Sequence, residues 1–305
     1  MTQKTHAIKV GSNWIGGILK ANVTNQARVV AEPTAGSFYP QRITINEIKQ
    51  TFGFSTNNVA TALGLVGFLG LGLGSGVTIE VYEILTLPNG TIAPGTVHRK
   101  LAFGEGRIIP KQLACQHRAD ATLDLEVMGL STNGTASPMV ITESVAVPAA
   151  LDDARHTLGN CTVSGIDVGC LQSLSMDFGL AMESAGCKSN IYDTRIKVSN
   201  VVPKVTVTTE DCDIVGDGGS QIPLVGKPCT HANTSFRLRK RTSKVGTFVA
   251  DATTEHIRIT CDGVVVPTNV FEASANEDGS STLEVTGMFD GTNLPFVINT
   301  ASAHA

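Results

Sequence analysis

Charge is scarce in this chain. Only 16% of its 305 residues are Asp, Glu, Lys or Arg, and 23 basic against 27 acidic side chains leave a formal net charge of −4. That balance excludes a wholesale nucleic-acid binder, which needs a basic surface. Aromatic residues are few, at 5%, with one Trp and three Tyr. The N-terminus, "MTQKTHAIKVGSNWIGG", has no basic head followed by a continuous apolar stretch, so no signal peptide is expected. The cysteines at 115, 161, 170, 187, 212, 229 and 261 are odd in number and form no CxxC pair. Reduced, buried thiols are the expectation for them, with a disulfide scaffold the minor option.

The residues of an active site are also missing. No Gly-x-Ser-x-Gly elbow exists to hold a nucleophilic serine. "GLGLGSG" lacks the lysine of a phosphate-binding loop, and Val77 stands where the last glycine of a dinucleotide fingerprint belongs after Gly72 and Gly74. The metal-like pairs are Cys115-x-His117 and Cys229-x-His231, without the tight knuckles of structural zinc. The adjacent carboxylates Asp152-Asp153 and Glu210-Asp211 read as solvated turn charges. Five Asn-x-Ser/Thr sequons, at Asn22, Asn89, Asn133, Asn160 and Asn233, are what a Thr-rich chain contains by chance. We expect no enzyme, no metal and no cofactor.

What is present is β pattern. Hydrophobic residues make up 42% of the chain, an ordinary core, and the length allows two ordinary domains or one large β domain. "GVTIEVYEILTL", "ATLDLEVMGL", "STLEVTGMF" and "LQSLSMDFGLAMES" alternate apolar and polar residues, the period of a half-buried strand. In the last, Leu174, Met176, Phe178 and Leu180 share a face. Helix signals are thin: one short helix near 149–158, and a turn or two within "RITINEIKQTFGF". One nine-residue pattern, [Asn/Asp]-Gly-Thr-x-x-Pro-x-x-[Val/Ile], occurs at Asn89, Asn133 and Asp290. Asn-Gly and Asp-Gly start tight turns, and the proline keeps the following backbone extended and out of a central ladder. Each copy therefore reads as strand, turn, strand. The second and third copies share more of their flanks. They point to a duplication, with one β unit ending near Ala150 and a second near Thr300. The expected fold is mostly β: two related β-sandwich or barrel-like units with one or two short helices. The first unit spans 1–150 with a Gly-rich apolar insertion at about 51–79, and the second spans 151–305.

Two stretches stand apart. Residues 51–79 carry no charge, and their centre reads "ATALGLVGFLGLGLGSGV". It is long enough to cross a bilayer. However, glycines at 64, 67, 70, 72, 74 and 76 are poor for a helix, and no basic cluster flanks the run. A buried core segment, or an apolar loop covered by a neighbouring subunit, is expected, and no membrane partner. "FRLRKRTSK" puts Arg237, Arg239 and Arg241 on one face of a strand. Such a stripe could meet phosphate. Acidic side chains of a neighbouring subunit are the favoured partner, because the aromatic interleaving of a single-strand platform is missing.

The succession "LQSLSMDFGL", "IYDTRIKVSNVVPKVTVTTEDCDIV", "SFRLRKR…GTFVADATTEHIRITCDGVV" and "STLEVTGMFDGTNLPFVINTASA", about residues 171–300, resembles the tail tube (major tail) proteins of tailed phages and prophages. The resemblance implies a β-sandwich or barrel with a long hairpin or loop and a short helix. It also implies hexameric rings that stack into a tube through which DNA passes. It implies no catalytic residue. The partners would be the chain itself, through ring and stacked-tube contacts, other tail proteins, and genomic DNA in transient, non-specific passage through the lumen. The location would be the virion tail, after synthesis in the bacterial host cytoplasm. The chain departs from the family in its length and in its Gly-rich run. Low charge and long strand edges fit a ring-forming protein independently. The expected oligomer contacts are the apolar loop (Leu63, Gly64, Leu69, Leu71, Leu73), the turns at Asn89 and Asn133, and the Arg237, Arg239 and Arg241 strand. The rival readings are another virion or surface β module, such as a capsid decoration protein or an adhesin-like binding protein, and an enzyme on a β scaffold.

Overall fold

A computed structural model describes residues 2–33, 35, 38–147, 154–187, 190–242, 247–273 and 279–304, with the side chains of 2, 3, 5 and 6 left out. The protein is mostly β and sandwich-like. The first series of elements is β1 (Thr2–Val10), β2 (Asn13–Ile15), β3 (Ile18–Pro33), β4 (Pro40–Thr56), α1 (Val59–Val66), β5 (Leu71–Leu73), β6 (Ile79–Thr86), β7 (His98–Phe103), β8 (Gly106–Gln116), β9 (Thr122–Gly129) and β10 (Met139–Val145). The second opens with β11 (His156–Val163), β12 (Ile166–Asp167), β13 (Leu171–Asp177), β14 (Leu180–Ala185), β15 (Arg195–Val201) and β16 (Lys204–Thr209). A 3-10 turn (Cys212–Ile214) precedes β17 (Lys227–Cys229), β18 (Ser235–Lys240), β19 (His256–Cys261), β20 (Gly263–Glu272), β21 (Ser280–Gly287) and β22 (Phe296–Ser302).

The two series build the same object. One sheet runs β2-β1-β6-β7-β10 and another β12-β11-β18-β19-β22, the same order with each strand replaced by its counterpart. In the third sheet, β3-β4-β9-β8 with β5 on β8 is matched by β13-β16-β21-β20-β17. Registers agree as well as orders. Gly106 faces Gly129 as Gly263 faces Gly287, and Leu73 faces Gly106 as Cys229 faces Gly263. Bulges recur at counterpart places: Ile18/Lys20 and Leu171/Ser173, Pro110/Gln112 and Pro267/Asn269. A one-residue slip would turn every side chain to the wrong face, so shared register and shared bulges mark two copies of one unit.

The fold also aligns the sequences. Gly106-Arg-Ile-Ile-Pro110 falls on Gly263-Val-Val-Val-Pro267, and Leu125-Glu-Val-Met-Gly129 on Leu283-Glu-Val-Thr-Gly287. Gly106 and Gly263 are needed: φ is +141° and +156°, and a Cβ would stand 2.1 Å and 2.0 Å from a facing carbonyl oxygen. Buried polar groups repeat too. Thr56 Oγ1 donates to Gly16 O at 2.8 Å and accepts from Asn58 N at 3.0 Å. Thr209 does the same with Gly169 O and Asp211 N. His98 Nδ1 accepts from Leu85 N and His256 Nδ1 from Lys240 N, both at 3.0 Å.

Each unit carries a long hairpin. Pairing in β3–β4 runs from Ile18↔Thr56 out to Pro33↔Pro40, so "RITINEIKQTFGF" is strand throughout rather than partly helical. Its outer half lacks a covering layer, and Ile43 and Ile45 are exposed where a helix would have buried them. In the second unit the hairpin is broken at Phe178-Gly179 and resumes as β14–β15. Of the helix expected near 149–158, residues 149–153 lie outside the described residues, and His156 onward is β11.

The observed helix is α1, inside the Gly-rich run. Its Val59, Ala62, Leu63 and Val66 are buried. Leu63 and Leu73 are core residues, 2% and 8% exposed, so they offer no surface to a neighbour. The run joins the two units within the chain. Phe68 lies 5.9 Å from Phe178 and 6.2 Å from Phe296 between ring centroids, both in the second unit. Among the described residues no helix is long and apolar enough to cross a membrane. Removing the Phe68 ring leaves a cavity between the units. Phe68→Ala should lower unfolding free energy by about 3–5 kcal/mol in denaturant titration.

Candidate assembly surface

The two units meet edge to edge. After its first three residues pair β5, the far end of β8 pairs β13: Ser173↔Gln116, Leu174↔Cys115, Ser175↔Ala114, Met176↔Leu113 and Asp177↔Gln112. Leu113, Cys115, Leu174 and Met176 are all at most 2% exposed, so the junction is as dry as the core. The third sheet thereby runs unbroken through both units.

A second contact lies at the hairpin turn after β9. Asn133 Oδ1 accepts from Thr135 N at 3.0 Å and Ala136 N at 2.8 Å, the mimicry of a backbone turn expected of Asn-Gly. Onto this turn folds the loop at the end of the β14–β15 arm. Ile191 N and Tyr192 N donate to Gly134 O at 3.0 and 3.1 Å, Ser131 N donates to Asp193 O at 2.9 Å, and Ile48 N on β4 donates to Ile191 O at 2.8 Å. Gly134 has φ +78°, and a Cβ there would stand 2.1 Å from Asn190 Cγ.

The three turn copies divide. Those at Asn133 and Asp290 sit at the same corner, before β10 and β22. The copy at Asn89 lies between β6 and β7, where its Oδ1 accepts from Thr91, and it has no counterpart among the other two. Asp290 accepts from Asn293 N and Thr292 N, and these bonds hold its carboxyl down at about 2.

The basic stripe has partners inside the chain. Arg237 donates to Ala303 O at 3.0 Å. Arg239 pairs with Asp251 at 2.8 Å and lies over the Phe248 ring at 4.5 Å. Arg241 pairs with Asp120 at 3.1 Å and donates to Arg118 O at 3.1 Å. Acidic partners were anticipated on a neighbouring subunit; Asp120 and Asp251 belong to this one. At partial exposure each pair contributes about 0–1 kcal/mol, so the arginines orient segments more than they stabilise them. Of the remaining loop residues, Leu69 is exposed, Leu71 half-buried, and Gly64 faces Thr300 of β22.

Three imidazoles lie near the stripe. His256 and His304 are 5.4 Å apart between ring centroids. Burial pushes His304 down and His156 down to about 4, with nearby Lys240 and His256 adding to the effect at His156. The cysteines are all free; Cys115, Cys161, Cys229 and Cys261 are buried, whereas Cys170 and Cys187 are exposed and Cys212 is intermediate. Burial raises the thiols of Cys115 and Cys161, which keeps them protonated and inert. Cys115 is buried and His117 exposed.

Comparison with known proteins found no matching family model and no matching curated relative.

The sequence pattern pointed to the Asn133 turn but not to the arm that covers it, because nothing local in residues 187–193 marks their destination. Two outcomes follow from these contacts. Gly134→Ala should destabilise the single chain more than Gly291→Ala in denaturant titration. Both pay positive-φ strain of about 1 kcal/mol, but only Gly134 is covered. For His156, the unfolded chain titrates near 6.5 and the folded chain near 4. Between those values the unfolded state binds the extra proton, so unfolding free energy should fall as pH drops from about 6.5 to about 4 and then level off. His156→Gln should flatten that slope in a pH series of denaturation curves.

Proposed function

We propose that this chain is a self-assembling structural protein of a phage or prophage particle, whose copies form the stacked rings of a tail tube that conducts DNA. One observation carries the reading: the chain is itself two copies of a β unit laid side by side and joined through one sheet. Such a molecule is two successive steps of an array. A ring or tube is built by repeating such a step. Low charge and a net −4 suit a lumen that passes DNA without gripping it. The two long hairpins, one with Val29, Ile43 and Ile45 exposed, supply reach toward neighbours.

Negative-stain electron microscopy of the purified chain, concentrated at neutral pH, tests this. Rings or tubes with a central hole are expected. Dispersed monomers at high concentration would overturn the proposal in favour of a capsid-decoration or adhesin-like module. Screening would then begin at the cleft of about 800 Å³ beside Gly169, lined by Asp167, Glu210, Asp211 and Arg237.

A further inference from the structure

We propose that a second copy of this chain docks by repeating, between chains, the junction that joins the two units within it: β20 of one copy pairs with β3 of the next. The inference rests on the self-assembly reading and names its surfaces.

β8 and β13 supply the template. The counterpart of β8 is β20, and β20 uses its first residues for β17 just as β8 uses its own for β5. Beyond Val265, β20 is paired on one side only, to β21, among the described residues. The counterpart of β13 is β3, whose one ladder partner among the described residues is β4. Each chain thus keeps one open edge of each kind, at opposite ends of the same sheet. An open edge is a template for a further strand.

The register follows from the equivalences. β20 takes one extra residue relative to β21 between Asn269 and Glu272, which puts Phe271 at the position of Leu113. Val23 stands at the position of Met176, since Ile18 and Thr56 of one bulged pair match Leu171 and Thr209 of the other. Repeating Met176↔Leu113 sets Val23 opposite Phe271, Asn22 opposite Glu272 and Ala21 opposite Ala273. Exposure agrees. Leu113, covered by the second unit, is 0% exposed, while Phe271 is 64% exposed.

The arm supplies an independent observation. Within the chain, the second unit's arm covers the turn at 131–134 of the first. Among the described residues the counterpart turn at 288–291 is uncovered: Met288 and Phe289 are each 58% exposed, where Ser131 is 4% exposed, and a Cβ built on Gly291 meets nothing within 4 Å beyond its own chain neighbours. The counterpart arm is the outer β3–β4 hairpin. Val29 pairs with Ile45 and Ala31 with Ile43, which places these apolar side chains on one face. When β3 of the next copy docks on β20, its own arm is carried toward this turn. Both observations give the same polarity, head to tail, which closes into a ring or propagates as a filament.

Residues directly opposite in a ladder have Cβ atoms about 4.5–5.5 Å apart, within reach of a short cross-linker. In a background with Cys170, Cys187 and the partly exposed Cys212 changed to Ser, Asn22→Cys/Glu272→Cys should give a ladder of dimers and larger species with a short bis-maleimide on a denaturing gel. Each single cysteine variant should give none. Assembled particles without a ladder would overturn this interface while leaving self-assembly standing. Monomers throughout would overturn both. Phe271→Asp gives a second readout, since Phe271 is exposed in the single chain and its loss spares the fold. Loss of assembly with an unchanged circular dichroism spectrum is expected, and normal assembly would overturn the interface.

Discussion

Everything in this molecule depends on satisfying the edge of β8. A strand leaves a row of N–H and C=O groups on each side, and buried ones must be paired. β8 gives one side to β9 and divides the other between β5 and β13. The division makes two units into one body. Had β5 run longer, β13 would have no place to join, and the third sheet would end at β8. The short β5 is set by the glycines around it: Gly70 and Gly74 have positive φ, and a Cβ on Gly70 would stand 2.4 Å from Ile108 O.

The Gly-rich apolar run therefore has a structural role. Its glycines keep β5 short and close to β8. Its apolar residues, Phe68 above all, fill the space between the units. The lack of charge from 51 to 79 accompanies burial within a single chain over most of the run, with Gly64, Leu69, Gly72, Ser75 and Gly76 exposed. The composition alone left open whether the run was core or a loop covered by another subunit, because both need apolar residues. Leu63 and Leu73 fall to the first reading and the exposed Leu69 is left to the second.

Much of the β pattern was legible. Where one face is buried the alternation is plain, as at β9, β13 and β21, and the turns at Asn133 and Asp290 share a sequence because they share a corner. The rest was hidden for physical reasons. The outer half of β4 has no buried face, so Ile43, Ile45 and Ile48 could be spaced for a helix turn as well as for a strand. The counterpart pairs Gly106/Gly263 and Thr56/Thr209 are held by backbone geometry and one hydroxyl. A sequence repeat shows neither when the residues between them differ and the spacing drifts across bulges. The arginines of β18 advertise a charge but not its partner, since Asp120 lies in the other unit and Asp251 beyond the next turn.

Joining the two units in one chain also has an arithmetic consequence. In the proposed array every second junction would be covalently guaranteed, and so would form at a local concentration that no dilution changes. Units would enter and leave that array in pairs. A closed ring built from this chain contains an even number of units, and an odd-numbered ring is forbidden by connectivity before any contact energy is considered.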